Sequence, residues 1–239
     1  MEMTANLVGE SEVFSSLSPP KLEYEPALYE QYQPVIDLMT EEAKTLQMSG
    51  VTGDKRTALF FDRASATCAA IKAGATSWRA LDIIYNFECD DSDPLANFWV
   101  NMRNAQAVRN RLKLSKTLIR AGLLRRCALT GRGTKKNPLQ LVSLAAGSAQ
   151  GVIEEVSRLR WQDGILVKVI LVDNDPAAEE VIMEKANQHQ VVDLLTFIPE
   201  RADKFDKFVQ SEIDMIEMLG LLDYLATPIA VRLCRKIWK

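Results

Sequence analysis

Two residues near the middle of this chain have the type and spacing to hold a nucleotide. Gly147 lies in a run of small residues, Ala145-Ala146-Gly147-Ser148-Ala149, which follows the apolar run Leu141 to Leu144. Asp173 closes a second apolar run, Ile165 to Val172, and opens the polar sequence Asp173-Asn174-Asp175-Pro176. Between them Val152, Ile153, Val156 and Leu159 recur at three- and four-residue spacing, the pattern of a helix with one buried side. Strand, tight turn, helix, strand and carboxylate make half of a nucleotide-binding α/β unit. Small residues let the backbone approach a ligand closely. The helix N-terminus offers N–H groups without intrahelical partners. A carboxylate at the end of the second strand can accept hydrogen bonds from both hydroxyls of a ribose.

Other chemistries find little material. The single histidine, His189, sits in the polar run Asn187-Gln188-His189-Gln190 and reads as a solvated helix end. Zinc sites built on several histidines are thereby disfavoured, and no metal is expected. Cys68, Cys89, Cys127 and Cys234 form no close pair and read as reduced thiols, which points to a cytoplasmic protein. No apolar run is long enough to span a bilayer, and the N-terminus carries acids in place of a signal. Glu88 to Pro94 holds four acids, but lacks the glycine and distal glutamate of a calcium loop. It reads as a turn in which Asp93 caps a helix and Pro94 takes the first helical position. Gly131 to Lys136 resembles a phosphate loop in composition. It misses the lysine spacing and precedes a strand, so it reads as a linker.

The elements that must position Gly147 and Asp173 follow from periodicity. Residues 1–26 read as a loose arm. A helical domain spans 27–136. Its first helix runs from Leu28 to Met48, its second from the Asp54 cap to Ala73 with Leu59, Phe60, Ala64, Cys68 and Ile71 inward. A third runs from Trp78 to Phe87, and one bent or two separate helices fill Leu95 to Leu129. The α/β domain spans 137–239. After Asp175 its pattern continues with a helix over Ala177 to Gln188 and a strand over Val191 to Ile198. A short helix over Ala202 to Ser211, a strand over Ile213 to Leu222 and a helix over Pro228 to Trp238 complete it. The predicted fold class is therefore α/β: an N-terminal all-helical domain, then a partial Rossmann-like, mostly parallel sheet flanked by helices.

Net charge is −3, yet no acid occurs between Asp93 and Glu154, an interval that includes Arg103, Arg109, Lys116, Arg120, Arg126 and Arg132. One reading is a phosphate-tracking surface for nucleic acid. The other is a basic helix lying against the acidic N-terminal helices. Aromatic residues are missing from the stretch after Trp99, which disfavours single-strand stacking.

The ordered set resembles the Rossmann-like methyltransferases that use S-adenosyl-L-methionine, over roughly 137–239. Leu141-Val142-Ser143-Leu144-Ala145-Ala146-Gly147-Ser148-Ala149 stands at that family's glycine-rich first motif. Val172-Asp173-Asn174-Asp175-Pro176 is similar to its second motif, and Met215 to Leu225 looks like its fourth strand and following loop. Asn104 to Leu112 resembles a helix that precedes the first motif in one bacterial branch. The resemblance implies that Ser143, Ala145, Ala146, Gly147 and Ser148 lie under the cofactor's methionine and ribose, that Asp173 binds the ribose hydroxyls, and that Asn174 and Ile198 flank the adenine. Met218, Leu219 and Gly220 would line the cofactor near the methyl group. Tyr85, Arg109 and Tyr224 are the candidates to line the acceptor pocket, and no base is assigned. Three departures stand out. Ser143 replaces the usual acid, and Ala145 and Ala149 replace glycines, at little cost unless those positions need φ > 0.

The family's sheet has seven strands, and four are found here, so the expectation is a fragment or a shortened form. Ile213 to Leu222 would then be an apolar edge, and a homodimer through it is expected. The methyl acceptor is open, with the basic stretch favouring an anionic one. Two alternatives compete. A short-chain-type reductase binding NAD(P) would share the glycine spacing and Asp173, but no tyrosine has a lysine four residues on. The other is a non-catalytic, degenerate Rossmann-like interaction module.

Overall fold

Alternating apolar and small-residue segments in the second half of the chain fold into a parallel sheet with helices on it. The computed structural model describes residues 19–24, 30–50, 65–75, 77–209 and 212–238. Two compact units divide within one long helix, the first from Lys21 to Leu112 and the second from Lys113 onward.

The first unit is helical. Its described helices are α1 (Gln33–Met48), α2 (Ala66–Ala73), α3 (Trp78–Tyr85), α4 (Pro94–Val100) and the start of α5 (Arg103–Thr130). The expected bend in Leu95 to Leu129 is a break between α4 and α5. Asp93 caps α4 through Oδ1, which accepts from the Ala96 N–H at 2.9 Å, and Pro94 opens the helix. Its other oxygen accepts from Ser65 Oγ at 2.7 Å, while Ser65 caps α2 by accepting from the Cys68 N–H. One acid thus ties two helix N-termini together, each cap contributing about 1 kcal/mol. Ile71, Ala80, Ile84, Val100 and Ala105 form the unit's core. The Asp54 cap, Leu59, Phe60 and Ala64, with most of the expected N-terminal arm, lie outside the described residues.

The second unit carries β1 (Leu139–Leu144), α6 (Gln150–Gln162), β2 (Val167–Asp173), α7 (Ala178–Gln188), β3 (Leu195–Pro199), β4 (Met215–Glu217) and α8 (Thr227–Ile237). All pairings are parallel and the strand order is β3-β2-β1-β4. The chain steps outward from β1 to β3, then returns to the other side of β1. Strand order reverses between β1 and β4, and ligands of open α/β sheets bind outside the strand C-termini at such a reversal. Val142, Leu144 and Val172 face Phe205 and Leu233, which cover that side of the sheet. On the β4 edge, α5 comes close at Gly122. A Cβ there would stand 3.2 Å from Met215 Sδ.

The boundaries of three expected elements change. Val191 to Ile198 begins with a 3₁₀ turn, Val192–Leu194, before β3. Ala202–Lys207 is 3₁₀ and not α-helix. Only Met215–Glu217 of the run Ile213 to Leu222 pairs in the sheet, against Leu141, Val142 and Ser143. The flanking Ile213, Met218 and Leu221 pack onto the core below. Burial of those side chains, and not ladder pairing, accounts for the length of the apolar run.

Much of the basic stretch is paired with acids of the chain itself. Arg109 meets an acid of the N-terminal region, bonding Glu23 and the Val100 carbonyl, both at 2.7 Å. Four of the later cations have partners in the α/β unit. Lys116 pairs with Glu154, Arg120 with Asp163 at 2.8 Å, and both Arg126 and Arg132 with Asp214 at 3.2 and 3.0 Å. The Asp214 side chain is fully buried and also accepts from the Gln140 N–H at 2.8 Å. The cations serve to seat the second half of α5 and the following turn on α6 and the foot of β4. Within that turn Gly133, at φ +103°, donates to the Asn137 carbonyl at 2.8 Å and accepts from the Leu166 N–H at 2.7 Å. Gly131 to Lys136 is therefore a folded connection into β1, as its position before the strand implied. Among the described residues no helix is long and apolar enough to cross a membrane.

Candidate functional site

The turn after β1 is built from backbone conformations that side chains resist. Ala145, Gly147 and Ala149 lie at φ +56°, +54° and +50°, in the left-handed region. For glycine this is free. For each alanine it costs about 1 kcal/mol, since Cβ crowds the following carbonyl. Replacing glycine by alanine here is therefore not neutral: both positions need φ > 0. Strain of this kind persists where the surroundings dictate the backbone, and such places cluster at ligand sites.

What dictates this backbone is Asp173. It ends β2 beside the turn and is 7% exposed. Its Oδ2 accepts from the Gly147 N–H at 2.8 Å, and its Oδ1 from the Asp175 N–H at 2.9 Å. The carboxylate clasps the turn to the end of β2. Ala146 N–H adds a bond to the Val172 carbonyl at 3.1 Å. Each carboxylate oxygen keeps a further acceptor direction, so Asp173 can brace the turn and still receive a hydroxyl. The sequence assigned it the second task and missed the first.

The helix that follows, α6, starts at Gln150 without a side-chain cap. Its first N–H groups point out of the helix beyond the strand ends, carrying the positive end of the helix dipole. Gly147 and Ser148 are buried, Ala145 and Ala146 half-buried, and Asn174 is exposed just past Asp173. Ile198, near the end of β3, and Met218, just past β4, pack on the same core cluster. Leu219 is half-buried, and Gly220 turns the chain at φ +79°. The predicted cofactor residues thus occupy the strand C-terminal ends or the turns directly after them. Tyr224 is 65% exposed in the 3₁₀ turn Leu222–Tyr224 of this unit. Tyr85, at the end of α3, and Arg109 belong to the helical unit, and Arg109 is committed to Glu23 and Val100.

Sequence reasoning did not find Glu217. It is the last residue of β4 and the register partner of Ser143. The buried Ser143 Oγ donates to Glu217 Oε2 at 2.6 Å. Burial pushes the Glu217 carboxyl above the usual glutamate range, with the Ser143 hydrogen bond opposing. Ser143, noted for lacking a carboxyl where one is usual, holds one supplied by the neighbouring strand. The missed signal was the lone acid within the apolar run Met215 to Leu222. His189 is the residue after α7, as a helix-end histidine should be. All four cysteines are free thiols, and the described residues hold no metal-binding group of three or more His, Cys, Asp or Glu.

No family model matches the chain, and no characterised protein sequence matches it. Its fold is similar to that of a possible exported protein from Bordetella parapertussis, known from a crystal structure. That similarity has a TM-score of 0.54 at 15% sequence identity, covering 90% of this chain and 70% of the other. Identity this low speaks to the fold alone.

Proposed function

We propose that this chain is an S-adenosylmethionine-dependent methyltransferase, or the cofactor-binding part of one, acting in the cytoplasm. The observation that carries the reading is the strained small-residue turn at the strand-order reversal, braced by the carboxylate at the end of β2. A scaffold has no need of two left-handed alanines beside an uncapped helix start. A ligand site does, because the backbone must present its N–H groups and leave room.

The same geometry favours a sulfonium nucleoside over a dinucleotide. A pyrophosphate binds through N–H groups at this turn and the helix N-terminus. Here the Gly147 N–H already serves the Asp173 carboxylate, and a dianion would have to sit against that negative charge. Glu217 adds a second carboxyl on the other flank of β1. Two acids around the crevice suit a cationic ligand.

In this reading Asp173 takes the ribose hydroxyls, Asn174 and Ile198 flank the adenine, and Ala145 to Ser148 lie under the ribose and tail. Met218, Leu219 and Gly220 close the side from β4. The cofactor, when bound, supplies an activated methyl for in-line transfer. The chain contributes position, which alone can account for a large rate gain. The acceptor is left to experiment. The pairing of Lys116, Arg120, Arg126 and Arg132 with acids removes much of the case for an anionic one.

The test is calorimetric titration with S-adenosylhomocysteine and, in parallel, NADH. Binding of the first without the second is expected. Binding of NADH alone would replace this reading with the reductase, and binding of neither would leave the non-catalytic module. Gly147→Val should abolish binding by crowding the turn.

A further inference from the structure

The strained turn after β1 runs straight into a helix without a cap. Ala149, at φ +50°, stands at the N-cap of α6, and its side chain makes no hydrogen bond there. A serine or aspartate at that position would hold the helix start. Alanine cannot, and its left-handed backbone adds strain. The backbone itself supplies two bonds. Ala149 N–H donates to the Ala146 carbonyl at 2.8 Å, and Ile153 N–H to the Ala149 carbonyl at 2.9 Å.

Side chains support this start from the α5 side. Gln150, the first residue of α6, is half-buried. Its Nε2 donates to Glu154 Oε1 at 2.9 Å, one helical turn on. The other oxygen of Glu154 accepts from Lys116 Nζ of α5. The Lys116 and Glu154 side chains are 23% and 22% exposed, so solvent screens their attraction only weakly. Burial pushes the Glu154 carboxyl up, but hydrogen bonds from Lys116 and Gln150 outweigh it and hold the group below the usual glutamate range. Ionised, Glu154 accepts at both oxygens and joins the two helices in one chain of contacts.

The same two helices meet at a second ion pair, which serves as the contrast. Arg120, one turn further along α5, pairs with Asp163 at 2.8 Å. Asp163 follows the last residue of α6, at the end away from the turn. Of the two grips, the one through Lys116 reaches the residue that adjoins the turn.

We propose that Lys116 is a positioning residue for the site: through Glu154 it fixes Gln150, and so aims the turn Ala145 to Ala149 and the first N–H groups of α6. In this way α5 sets the affinity of the site. The ligand in this assignment rests on the cofactor reading above, while the mechanical part rests on Lys116, Glu154 and Gln150.

The experiment measures S-adenosylhomocysteine affinity, urea midpoint and amide exchange on the whole chain. Lys116→Met keeps a long side chain and removes the charge. It should weaken S-adenosylhomocysteine by about fivefold or more. Lys116→Arg keeps the charge and should stay within about twofold of the native chain. Glu154→Gln should reproduce the loss while leaving Lys116 in place for Glu155, 4.0 Å away. Combining Lys116→Met with Glu154→Gln should add less than about twofold to either alone, as groups acting in one chain of contacts do. Arg120→Met is the control for loosened packing: it should lower the urea midpoint similarly and leave affinity within about twofold. Equal affinity losses in Lys116→Met and Arg120→Met, or no loss in Lys116→Met, would overturn the role of Lys116 while leaving the cofactor site standing. Amide exchange needs no ligand. The Ala149 and Ile153 amides should exchange faster in Lys116→Met than in Arg120→Met. If the unaltered chain does not bind S-adenosylhomocysteine, the cofactor reading falls and exchange alone decides the rest: native protection of both amides in Lys116→Met would overturn it.

Discussion

Replacing Asp173 should cost stability before any ligand is added. Its two oxygens accept from the Gly147 and Asp175 N–H groups at 2.8 and 2.9 Å. Hydrogen bonds to a charged group contribute about 1.5–3 kcal/mol each, and an orphaned buried donor costs about 1–3 kcal/mol. Asp173→Ala removes both acceptors. The Gly147 N–H lies in a buried bond and the Asp175 N–H in a partly buried one that water can reach. The expected loss is about 3–4 kcal/mol. Asp173→Asn separates the clasp from mere size. An amide has one acceptor oxygen and one donor nitrogen, while both native partners are donors. One bond must be lost and two donors opposed, at about 2 kcal/mol. Urea denaturation reads this directly. With a slope of about 2 kcal/mol/M, the midpoint of Asp173→Asn should fall by about 1 M without a change in slope. Asn174→Ala, exposed next door, is the control and should not move it. A midpoint for Asp173→Asn within about 0.25 M of the native chain, about 0.5 kcal/mol, would refute the clasp. It follows that weak cofactor binding by an Asp173 variant is interpretable only beside its stability.

The turn alanines make an opposite prediction: Ala145→Gly should stabilise the chain by about 0.5–1 kcal/mol, since relief of left-handed strain exceeds the added chain entropy, and a drop in thermal midpoint would contradict it. Asp214→Ala removes the nearer acid from Arg126 and Arg132, leaving them Glu212 at 3.5 Å, and orphans the Gln140 N–H, so a loss of about 2 kcal/mol is expected in the same urea assay. Glu217 should imprint a pH dependence. Its folded value is raised by burial, so its contribution is fully present below the ordinary glutamate range and lost as pH rises through the raised value. Stability measured from pH 4 upward should therefore fall less in Glu217→Gln than in the native chain, and parallel curves would contradict the raised value. Finally, among the described residues no strand pairs with the outer edge of β4; light scattering should find a dimer, and a monodisperse stable monomer would argue against association through that edge.

Much of the α/β unit was legible because its signals are local. The period of Val152, Ile153, Val156 and Leu159, the β-branched run before Asp173 and the small-residue turn depend on neighbours a few residues away. The same holds for Asp93 and Pro94, whose capping roles involve Ala96 and the first turn of α4. Run length misled where burial and pairing diverge. Ile213 to Leu222 is apolar because its side chains meet the core, yet three residues find a ladder. Val191 is fully buried although it precedes β3 and a 3₁₀ turn.

What the sequence determined by itself was the order of elements, the fold class and the places where small and acidic residues end strands. The tertiary structure decided which of those residues meet. Strand order puts β4 beside β1, and only that adjacency joins Glu217 to Ser143 across 74 positions. It puts Asp173 beside Gly147, so an acid assigned to a ligand also locks the turn. It gives Arg126 and Arg132 their partner in Asp214 and draws the second half of α5 into the α/β unit. Periodicity records which side of an element is buried. It carries no information about which distant side chain lies opposite, because a hydrogen bond or ion pair depends on distance in space and leaves no spacing in the chain.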